Sequence, residues 1–203
     1  MAFISIEELR LLSYKTTLSK SLKNSLHRFD KSLIIEDIER ATDFYANNLE
    51  ALAHYQYRIK AMDSVLVKYT RYYPNYAVER TFNDILGFRF FCDSYDEADT
   101  LYASSDFFHR RSDMRMGKTT DDGYRGVHIY FQLDHYHYPI EIQFNTRYDR
   151  RMNDWLHRYL YKSPEKAAIG LALRKLYETG DIQTESQFIK ALRHKKGASI
   201  CHT

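Results

Sequence analysis

Residues Asp121–Thr146 read DDGYRGVHIYFQLDHYHYPIEIQFNT, and apolar and polar side chains alternate in both halves of this stretch. Alternation with a period of two is typical of β-strands. The pattern predicts two strands, GVHIYFQL and YPIEIQF, which pair as an antiparallel hairpin across the turn-like DHYHYP. The second strand carries two sets of side chains on opposite faces: Ile140, Ile142 and Phe144, against Glu141, Gln143 and Asn145. Either the polar face turns to water, or it forms the floor of an active site.

The flanking sequence surrounds this hairpin with helices. Upstream, ILGFRFFC predicts a buried strand and SYDEADTLYASSDFFHR a helix, whereas residues 1 to about 80 are predicted to be helical. In this N-terminal region, apolar side chains recur every three or four positions over residues 32–73, which predicts an amphipathic helix with a break near 54–57 and an end at Pro74. Downstream, YDRRMNDWLHRYLYK and the remainder predict helices, a stop at Gly180 and a loose polar tail. The predicted class is α+β, a small mixed or antiparallel sheet flanked by helices.

Composition restricts the classes of function. The 203 residues carry 30 Lys+Arg against 27 Asp+Glu, so the net charge of +3 does not favour binding of long nucleic acids by bulk charge. The two cysteines, Cys92 and Cys201, form neither a disulfide framework nor a metal-binding spacing. We find no signal-peptide pattern and no apolar run of the roughly 20 residues that span a bilayer. A soluble cytoplasmic protein without a membrane partner is expected.

One helical segment places cations in a row. If YRIKAMDSVLVKYTR is helical, its spacing of four, four and three aligns Lys60, Ser64, Lys68 and Arg71 along one stripe. Lysine point charges and a planar arginine fork suit several phosphoryl groups, so the stripe predicts a polyphosphate site. A solvated basic helix face explains the stripe equally simply.

Two carboxylates are candidates for binding Mg²⁺. Asp84 stands at the entrance of the strand ILGFRFFC, and Mg²⁺ prefers one or two carboxylates together with phosphate oxygens. Capping of a helix, or a salt bridge to Arg89, is the alternative for Asp84. Glu141 and Gln143 share a strand face about 7 Å apart, which suits a metal ligand and a positioning amide.

The third candidate is the segment GKTTDDGYRGVH. Its glycines, Gly117, Gly123 and Gly126, predict a mobile loop that folds over a substrate, with Tyr124 stacking on a base. It is not a Walker loop, because the upstream glycine and the strand-loop-helix context are missing. A plain turn is the alternative.

Five stretches in order, YRIKAMDSVLVK, DILGFR, GYRGVH, EIQFNT and HRYLYK, resemble the synthetase domain of the RelA/SpoT homologues. The resemblance implies a nucleotidyltransferase-like fold and an organisation similar to that of the small single-domain members. We therefore expect an N-terminal helical region over 1–55, the pyrophosphokinase core over 56–165, and a C-terminal helical extension and tail over 166–203.

The resemblance also implies an activity, the Mg²⁺-dependent transfer of the β,γ-pyrophosphoryl group of ATP to a ribose 3′-hydroxyl. It assigns ATP binding to Arg58, Lys60, Ser64, Lys68 and Arg89, with Arg58 near the adenine. It makes Asp84 and Glu141 the magnesium carboxylates and Glu141 the acceptor of the hydroxyl proton. Tyr124 is expected to stack on the acceptor base, while His128 and Gln143 line the acceptor side.

Two departures from the family pattern concern the acceptor. Guanosine-nucleotide synthetases of this family usually carry an arginine where this chain has Asn145, and a glutamate where it has Leu156. Loss of a cation disfavours a GDP or GTP acceptor more than the 3′ CCA end of a tRNA. We therefore expect a translation-inhibiting toxin that modifies tRNA, is paired with a small antitoxin protein, and contacts the RNA through Lys20 and Lys23. A small alarmone synthetase acting on GDP, GTP or an adenine nucleotide is the alternative.

Overall fold

The computed structural model describes residues 3–48, 54–161 and 166–200. Lys162, the last residue of the fifth motif, and the predicted tail at 201–203 lie outside these ranges. The helices are α1 (Ile6–Leu11), α2 (Lys31–Asn48), α3 (Met62–Tyr72), α4 (Val78–Thr81), α5 (Asp96–Ala103), α6 (Arg147–Tyr159), α7 (Lys166–Glu178) and α8 (Glu185–Ile200), with a 3₁₀ turn at Leu26–Arg28. The strands are β1 (Gln56–Ile59), β2 (Leu86–Cys92), β3 (Phe108–Asp113), β4 (Val127–Phe131) and β5 (Ile140–Thr146).

Within the described residues the strands form one five-stranded sheet in the order β1-β2-β5-β4-β3. This sheet and its flanking helices confirm the predicted α+β class. The two strands of the opening stretch are neighbours in the sheet, as β4 and β5. The core face of β5 is as predicted, because Ile140, Ile142 and Phe144 are all fully buried. Its other face is not a water-facing surface, since Glu141 is 6% exposed and Asn145 is 0% exposed.

The chain divides into two compact units. The first unit comprises Met1–Phe90, Asp96–Arg111 and His128–Phe144, and the second comprises Phe91–Tyr95, Ser112–Val127 and Asn145–Thr203. In the second unit, helices α6, α7 and α8 share an apolar cluster that includes Trp155, Leu173 and Phe188. Trp155 is therefore part of the core of this unit. The three-part division of the chain at residues 55 and 165 stays a prediction.

The prediction that residues 1 to about 80 are all helical is wrong at β1. Residues Gln56–Ile59 form a strand that pairs antiparallel with β2, with Arg58 opposite Gly87. Lys60 follows this strand and precedes α3, so it is not on a helix with Ser64 and Lys68. Apolar periodicity in the flanking helices concealed the strand, because a four-residue edge strand with a mostly exposed pattern carries little signal of its own.

The strand β3 was also missed, because its first three residues, FHR, were included at the end of a predicted helix. The helix α5 ends at Ala103, and β3 follows as the other edge of the sheet. Only Phe108 of this strand is buried. Charged side chains are common on edge strands, where they protect the open edge, so the residue pattern did not resemble a core strand.

A buried carboxylate fixes the N-terminal segment of the first unit. Asp37 on α2 is fully buried and accepts hydrogen bonds from the Thr16 hydroxyl, the Thr17 backbone N–H at 2.9 Å and the Tyr138 hydroxyl at 2.9 Å. The backbone N–H of Leu22 donates to the carbonyl of His135 at 2.8 Å. These bonds hold the segment that carries Lys20 and Lys23 against the connection between β4 and β5.

The predicted mobile loop is held by α7 within the second unit. Arg174 is fully buried, and its Nε donates to the carbonyl of Gly123 at 2.8 Å. Gly123 has a φ of +84°, and a Cβ built on it would lie 2.4 Å from the carbonyl oxygen of Gly170. A Cβ on Gly170 would lie 2.1 Å from the carbonyl oxygen of Asp122. Only glycine at both positions permits this close contact between backbones.

We predict that Gly170→Ala lowers the free energy of unfolding by about 1–3 kcal/mol, because the added methyl group forces the two backbones apart. Urea unfolding followed by circular dichroism measures the change. The control is Gly87→Ala, whose added Cβ would meet its nearest atom, an oxygen of Glu141, at an ordinary 3.5 Å. A gain of about 1 kcal/mol in Gly170→Ala, the ordinary benefit of alanine within a helix, would contradict the close contact.

Candidate active site

Three cations from two segments converge on one carboxylate in the first unit. Lys60 Nζ lies 2.7 Å from Asp84 Oδ2, Lys68 Nζ lies 2.9 Å from Oδ1, and Arg58 Nη2 lies 3.4 Å from Oδ2. The side chains of Lys60 and Asp84 are only 9% and 11% exposed, whereas that of Arg58 is 53% exposed. The cluster therefore holds more positive than negative charge, with one partly open side.

Local structure explains this convergence. Arg58 lies on β1, and the backbone N–H of Lys60 donates to the carbonyl of Ile85 at 2.8 Å, which fixes the end of β1 beside the start of β2. Lys68 comes from the second turn of α3. Burial lowers the pKa of Lys60, and the charges of Lys68 and Arg58 lower it further, although the bond to Asp84 opposes both. The buried ammonium thus depends on a nearby anion.

The second carboxylate, Glu141, lies on β5. Its Oε1 is 3.0 Å from His128 Nδ1 and accepts from the Tyr130 hydroxyl at 3.2 Å, while its Oε2 accepts from Gln143 Nε2 at 2.7 Å. Burial alone raises the pKa of Glu141, but the hydrogen bond and charge of His128, aided by Gln143 and Arg58, lower it to about 2. Glu141 is therefore ionised at neutral pH.

A cleft of about 280 Å³ opens beside these groups, and its lining includes Arg58, Arg89, Glu141 and Gln143. Arg89 Nε lies 3.5 Å from Gln143 Oε1, so Gln143 connects an arginine of β2 with the carboxylate of Glu141. The cleft therefore carries two arginines and one carboxylate, and Arg58 joins it to the cation cluster at Asp84.

The structure thus brings most of the predicted site residues together in the first unit. They are Arg58, Lys60, Lys68, Asp84, Arg89, His128, Glu141 and Gln143. Ser64 lies on α3 with an exposed side chain. Tyr124 belongs to the second unit, where its hydroxyl lies 3.5 Å from Asn145 Nδ2 and the Lys118 ammonium lies 4.8 Å from its ring centroid.

The two N-terminal lysines have different surroundings. Lys20 Nζ donates to the carbonyl of Arg28 at 2.9 Å and lies 5.9 Å from the ring centroid of Phe29. Lys23 is exposed and lines a separate cavity together with Arg80 and Arg110. Their shared role as acceptor contacts stays a prediction.

Sequence reasoning missed Tyr130, which donates the second hydrogen bond to Glu141 Oε1. Tyr130 is 7% exposed, and its hydroxyl is the group that contacts the site. The signal was available, because Tyr130 follows His128 by two residues and therefore shares its strand face.

The acidic groups also fit the proposed metal. Among the described residues, no group of three or more His, Cys, Asp or Glu side chains is arranged to hold an ion. Mg²⁺ needs only one or two carboxylates when substrate phosphates supply further oxygens. Arg58 contacts Asp84 and its charge lowers the pKa of Glu141, so both carboxylates border the same guanidinium. Asp84 and Glu141 are suitable ligands for Mg²⁺ that binds together with a polyphosphate.

Comparison with known proteins identifies the family. The family described as "Region found in RelA / SpoT proteins" matches residues 57–166, which is more than half of the chain. The chain belongs to the RelA/SpoT family of pyrophosphokinases. No curated protein matches it. Across the described residues, none of the helices is both long and apolar enough to cross a membrane.

Several solved structures are similar to this chain. Small alarmone synthetase 1 from Bacillus subtilis, bound to its product pppGpp, is 21% identical, with 83% of this chain and 93% of that chain covered and a TM-score of 0.47. Small alarmone synthetase 2 from the same organism is 19% identical, with 83% and 100% covered and a TM-score of 0.48. A GTP pyrophosphokinase family protein from Streptococcus pneumoniae is 20% identical, with 78% and 93% covered and a TM-score of 0.43. The family membership rests on the sequence match and the ordered motifs rather than on these likenesses.

We predict that Asp84→Asn lowers the free energy of unfolding by about 3 kcal/mol, because it leaves a buried ammonium without its carboxylate. Adding inorganic tripolyphosphate should restore part of the loss. Urea unfolding with and without tripolyphosphate measures both effects, and Asp63→Asn, an exposed change in the first turn of α3, is the control. An unchanged free energy of unfolding in Asp84→Asn would contradict the dependence of Lys60 on this anion.

A second prediction concerns pH. Because the pKa of Glu141 falls from 4.5 to about 2 on folding, its ionised form stabilises the protein above pH 4.5, and this contribution is lost as the pH falls towards 2. We expect Glu141→Gln to lower the free energy of unfolding at pH 7 by roughly 3 kcal/mol at most, and the difference from wild type to shrink below pH 4.5. Urea unfolding at a series of pH values tests this. A constant difference across that range would show that the Glu141 contacts do not favour its charge.

Proposed function

We propose that the protein transfers the β,γ-pyrophosphoryl group of ATP to a ribose 3′-hydroxyl at the 3′ CCA end of tRNA. The observation that carries the enzymatic part is the convergence of Arg58, Lys60 and Lys68 on Asp84, beside a cleft that Glu141 also lines. A surplus of cations around one buried lysine suits a ligand with several negative charges. The family membership supports the same reaction class.

ATP is proposed to bind along the cationic cluster. Its polyphosphate takes over the charge compensation that Asp84 gives Lys60 and Lys68, while Arg58 lies near the adenine and Arg89 beside the phosphates. Ser64 is exposed on α3 and available for a further phosphate contact. Mg²⁺, held by Asp84 and Glu141 with phosphate oxygens, would neutralise charge that develops on the transferred group.

The reaction follows from positioning rather than from covalent catalysis. The 3′-oxygen attacks the β-phosphorus, the bond from that phosphorus to the α,β-bridging oxygen breaks, and AMP leaves. The hydroxyl proton passes to a base, a role that the family resemblance gives to Glu141. A pKa of about 2 keeps Glu141 ionised, which is the form that both a metal ligand and a proton acceptor require.

The choice of tRNA as acceptor rests on Asn145 and Leu156, the two positions at which this chain departs from the pattern of guanosine-nucleotide synthetases. Asn145 is fully buried, and its Nδ2 donates to the backbone carbonyl of Arg125 at 2.9 Å, so this position offers no cation to a nucleotide diphosphate. Leu156 is fully buried in the apolar cluster of the second unit. Tyr124 is proposed to stack on the terminal base, with His128 beside the acceptor ribose and Lys20 and Lys23 contacting RNA.

Pyrophosphorylation of the tRNA 3′ end would block aminoacylation, so this activity makes the protein a toxin that inhibits translation. Such a protein requires restraint in its own cell, and we propose a small antitoxin protein as its partner. Synthesis of guanosine alarmones from GDP or GTP is the competing outcome.

The direct test is incubation with ATP labelled on the γ-phosphate, Mg²⁺ and, separately, deacylated tRNA, GDP and GTP, followed by separation of RNA from nucleotides. The proposal expects label on tRNA, and expects Glu141→Ala to abolish it. Label on GDP or GTP alone would replace the tRNA proposal with alarmone synthesis. Full transfer by Glu141→Ala would remove Glu141 from the mechanism.

Tyr124 generates a separate prediction. We expect Tyr124→Ala to raise the KM for the acceptor about fivefold or more, since stacking of a base on an aromatic ring contributes about 1–3 kcal/mol, with little change in the KM for ATP. Steady-state kinetics with either substrate varied measures both constants. Tyr124→Phe keeps the ring and serves as the matched control. An unchanged acceptor KM in Tyr124→Ala would exclude the stacking role.

A further inference from the structure

A second cavity lies in the first unit, with about 700 Å³ of empty space. Its lining includes Lys23 from the N-terminal segment, Arg80 from α4, Arg110 from β3 and Tyr130 from β4. The floor includes the buried side chain of Asn83, the residue before Asp84. We call this the cationic cavity. None of Arg80, Arg110 and Asn83 belongs to the sequence motifs or the roles discussed above.

The charges in this cavity are not balanced. Within the described ranges, Lys23, Arg80 and Arg110 have no carboxylate partner. Glu79, the acidic residue of the lining, is already engaged, since its Oε2 lies 2.9 Å from His135 Nδ1 and 3.3 Å from Gln132 Nε2. The Arg110 guanidinium lies 4.6 Å from the ring centroid of Tyr130, which keeps it at the cavity wall. Three cations against one carboxylate, which is itself hydrogen-bonded to other side chains, favour an anionic ligand.

Asn83 adds a neutral polar group to the lining of the cationic cavity. The residue is 8% exposed, and its side-chain amide lies at the cavity floor. An amide both donates and accepts, so it suits a phosphate oxygen and a ribose hydroxyl equally well.

The cationic cavity adjoins the candidate active site. The ring of Tyr130 lines the cavity, and its hydroxyl donates to Glu141 Oε1 at 3.2 Å. Asn83 of the lining precedes Asp84 directly in the chain. The link between the cavity and the candidate active site is therefore Tyr130, which lines the one and donates a hydrogen bond to Glu141 of the other.

We propose that the cationic cavity binds phosphodiester groups of the acceptor RNA that precede its 3′-terminal nucleotide. This inference rests on the proposed tRNA acceptor and deepens it. An RNA strand carries one phosphate for each nucleotide leading away from the reacting ribose, and arginine forks bind phosphate oxygens in pairs. Lys23, Arg80 and Arg110 supply the cations, and Asn83 supplies a neutral hydrogen-bonding contact.

The test measures binding without ATP, so that it does not depend on catalysis. A fluorescein-labelled single-stranded oligoribonucleotide ending in CCA is titrated with full-length protein by fluorescence anisotropy at several salt concentrations. The double variant Arg80→Gln, Arg110→Gln should weaken binding about tenfold or more. If each arginine contacts one phosphate, the slope of log K against log salt should fall in magnitude by about 1.4. Arg193→Gln, an exposed arginine of α8, is the matched control and should change neither quantity.

A second, single-residue variant keeps the test valid if the double variant does not fold. Lys23→Gln alters one exposed side chain and should lower the slope by about 0.7. Thermal unfolding of each variant shows whether it remains folded. Unchanged affinity and slope in all these variants, or absence of RNA binding by the wild type, would overturn the proposal.

A competition arm separates the two sources of phosphate. If GDP and GTP displace the labelled RNA and their own binding depends on Arg80 and Arg110, the cavity binds nucleotide phosphates and the RNA proposal is wrong. The outcome is independent of the transfer assay. If the wild type labels tRNA but the double variant binds RNA normally, the proposed role of the cationic cavity is wrong and the tRNA acceptor stands. If the wild type transfers label only to GDP or GTP, the proposed tRNA acceptor is wrong.

Discussion

The ion pairing of Asp84 with Lys60, Lys68 and Arg58 is the interaction on which the candidate site depends. It joins the end of β1, the second turn of α3 and the entrance of β2 at one carboxylate. Lys60 is buried, so its charge needs an anion close by, and Asp84 provides one. A polyphosphate would provide several. Asp84 thus compensates part of the charge of the cluster without a ligand, and the polyphosphate of ATP can compensate the rest.

The environment of Glu141 differs from that of Asp84, because hydrogen-bond donors rather than a cluster of lysines and arginines surround this buried carboxylate. His128, Tyr130 and Gln143 occupy its oxygens and fix its position on the sheet. Their contacts favour the ionised form, which a metal ligand requires, and weaken its basicity. The sheet therefore carries two carboxylates with different environments, one among cations and one among hydrogen-bond donors.

Much of the fold could be predicted where residue periodicity is strong. Strands β2, β4 and β5 and helix α6 follow from their apolar patterns, and Gly180 ends α7 as expected. The edge strands β1 and β3 could not be recognised, because their exposed, charged residues carry no core signal. The cation cluster was anticipated, but its supposed helical stripe was wrong for Lys60. Contacts such as Tyr130 with Glu141, and the surroundings of Asn83, arise only when distant segments of the chain pack together.

The central claim is that the cationic cluster at Asp84 is a polyphosphate site. The most direct measurement is isothermal titration calorimetry with a non-hydrolysable ATP analogue, tripolyphosphate and adenosine, each with Mg²⁺, on wild type and Lys68→Met. The account predicts that the analogue and tripolyphosphate bind, that Lys68→Met weakens both about tenfold or more, and that adenosine binds much more weakly than the analogue. Equal binding of adenosine and the ATP analogue, unaffected by Lys68→Met, would contradict it.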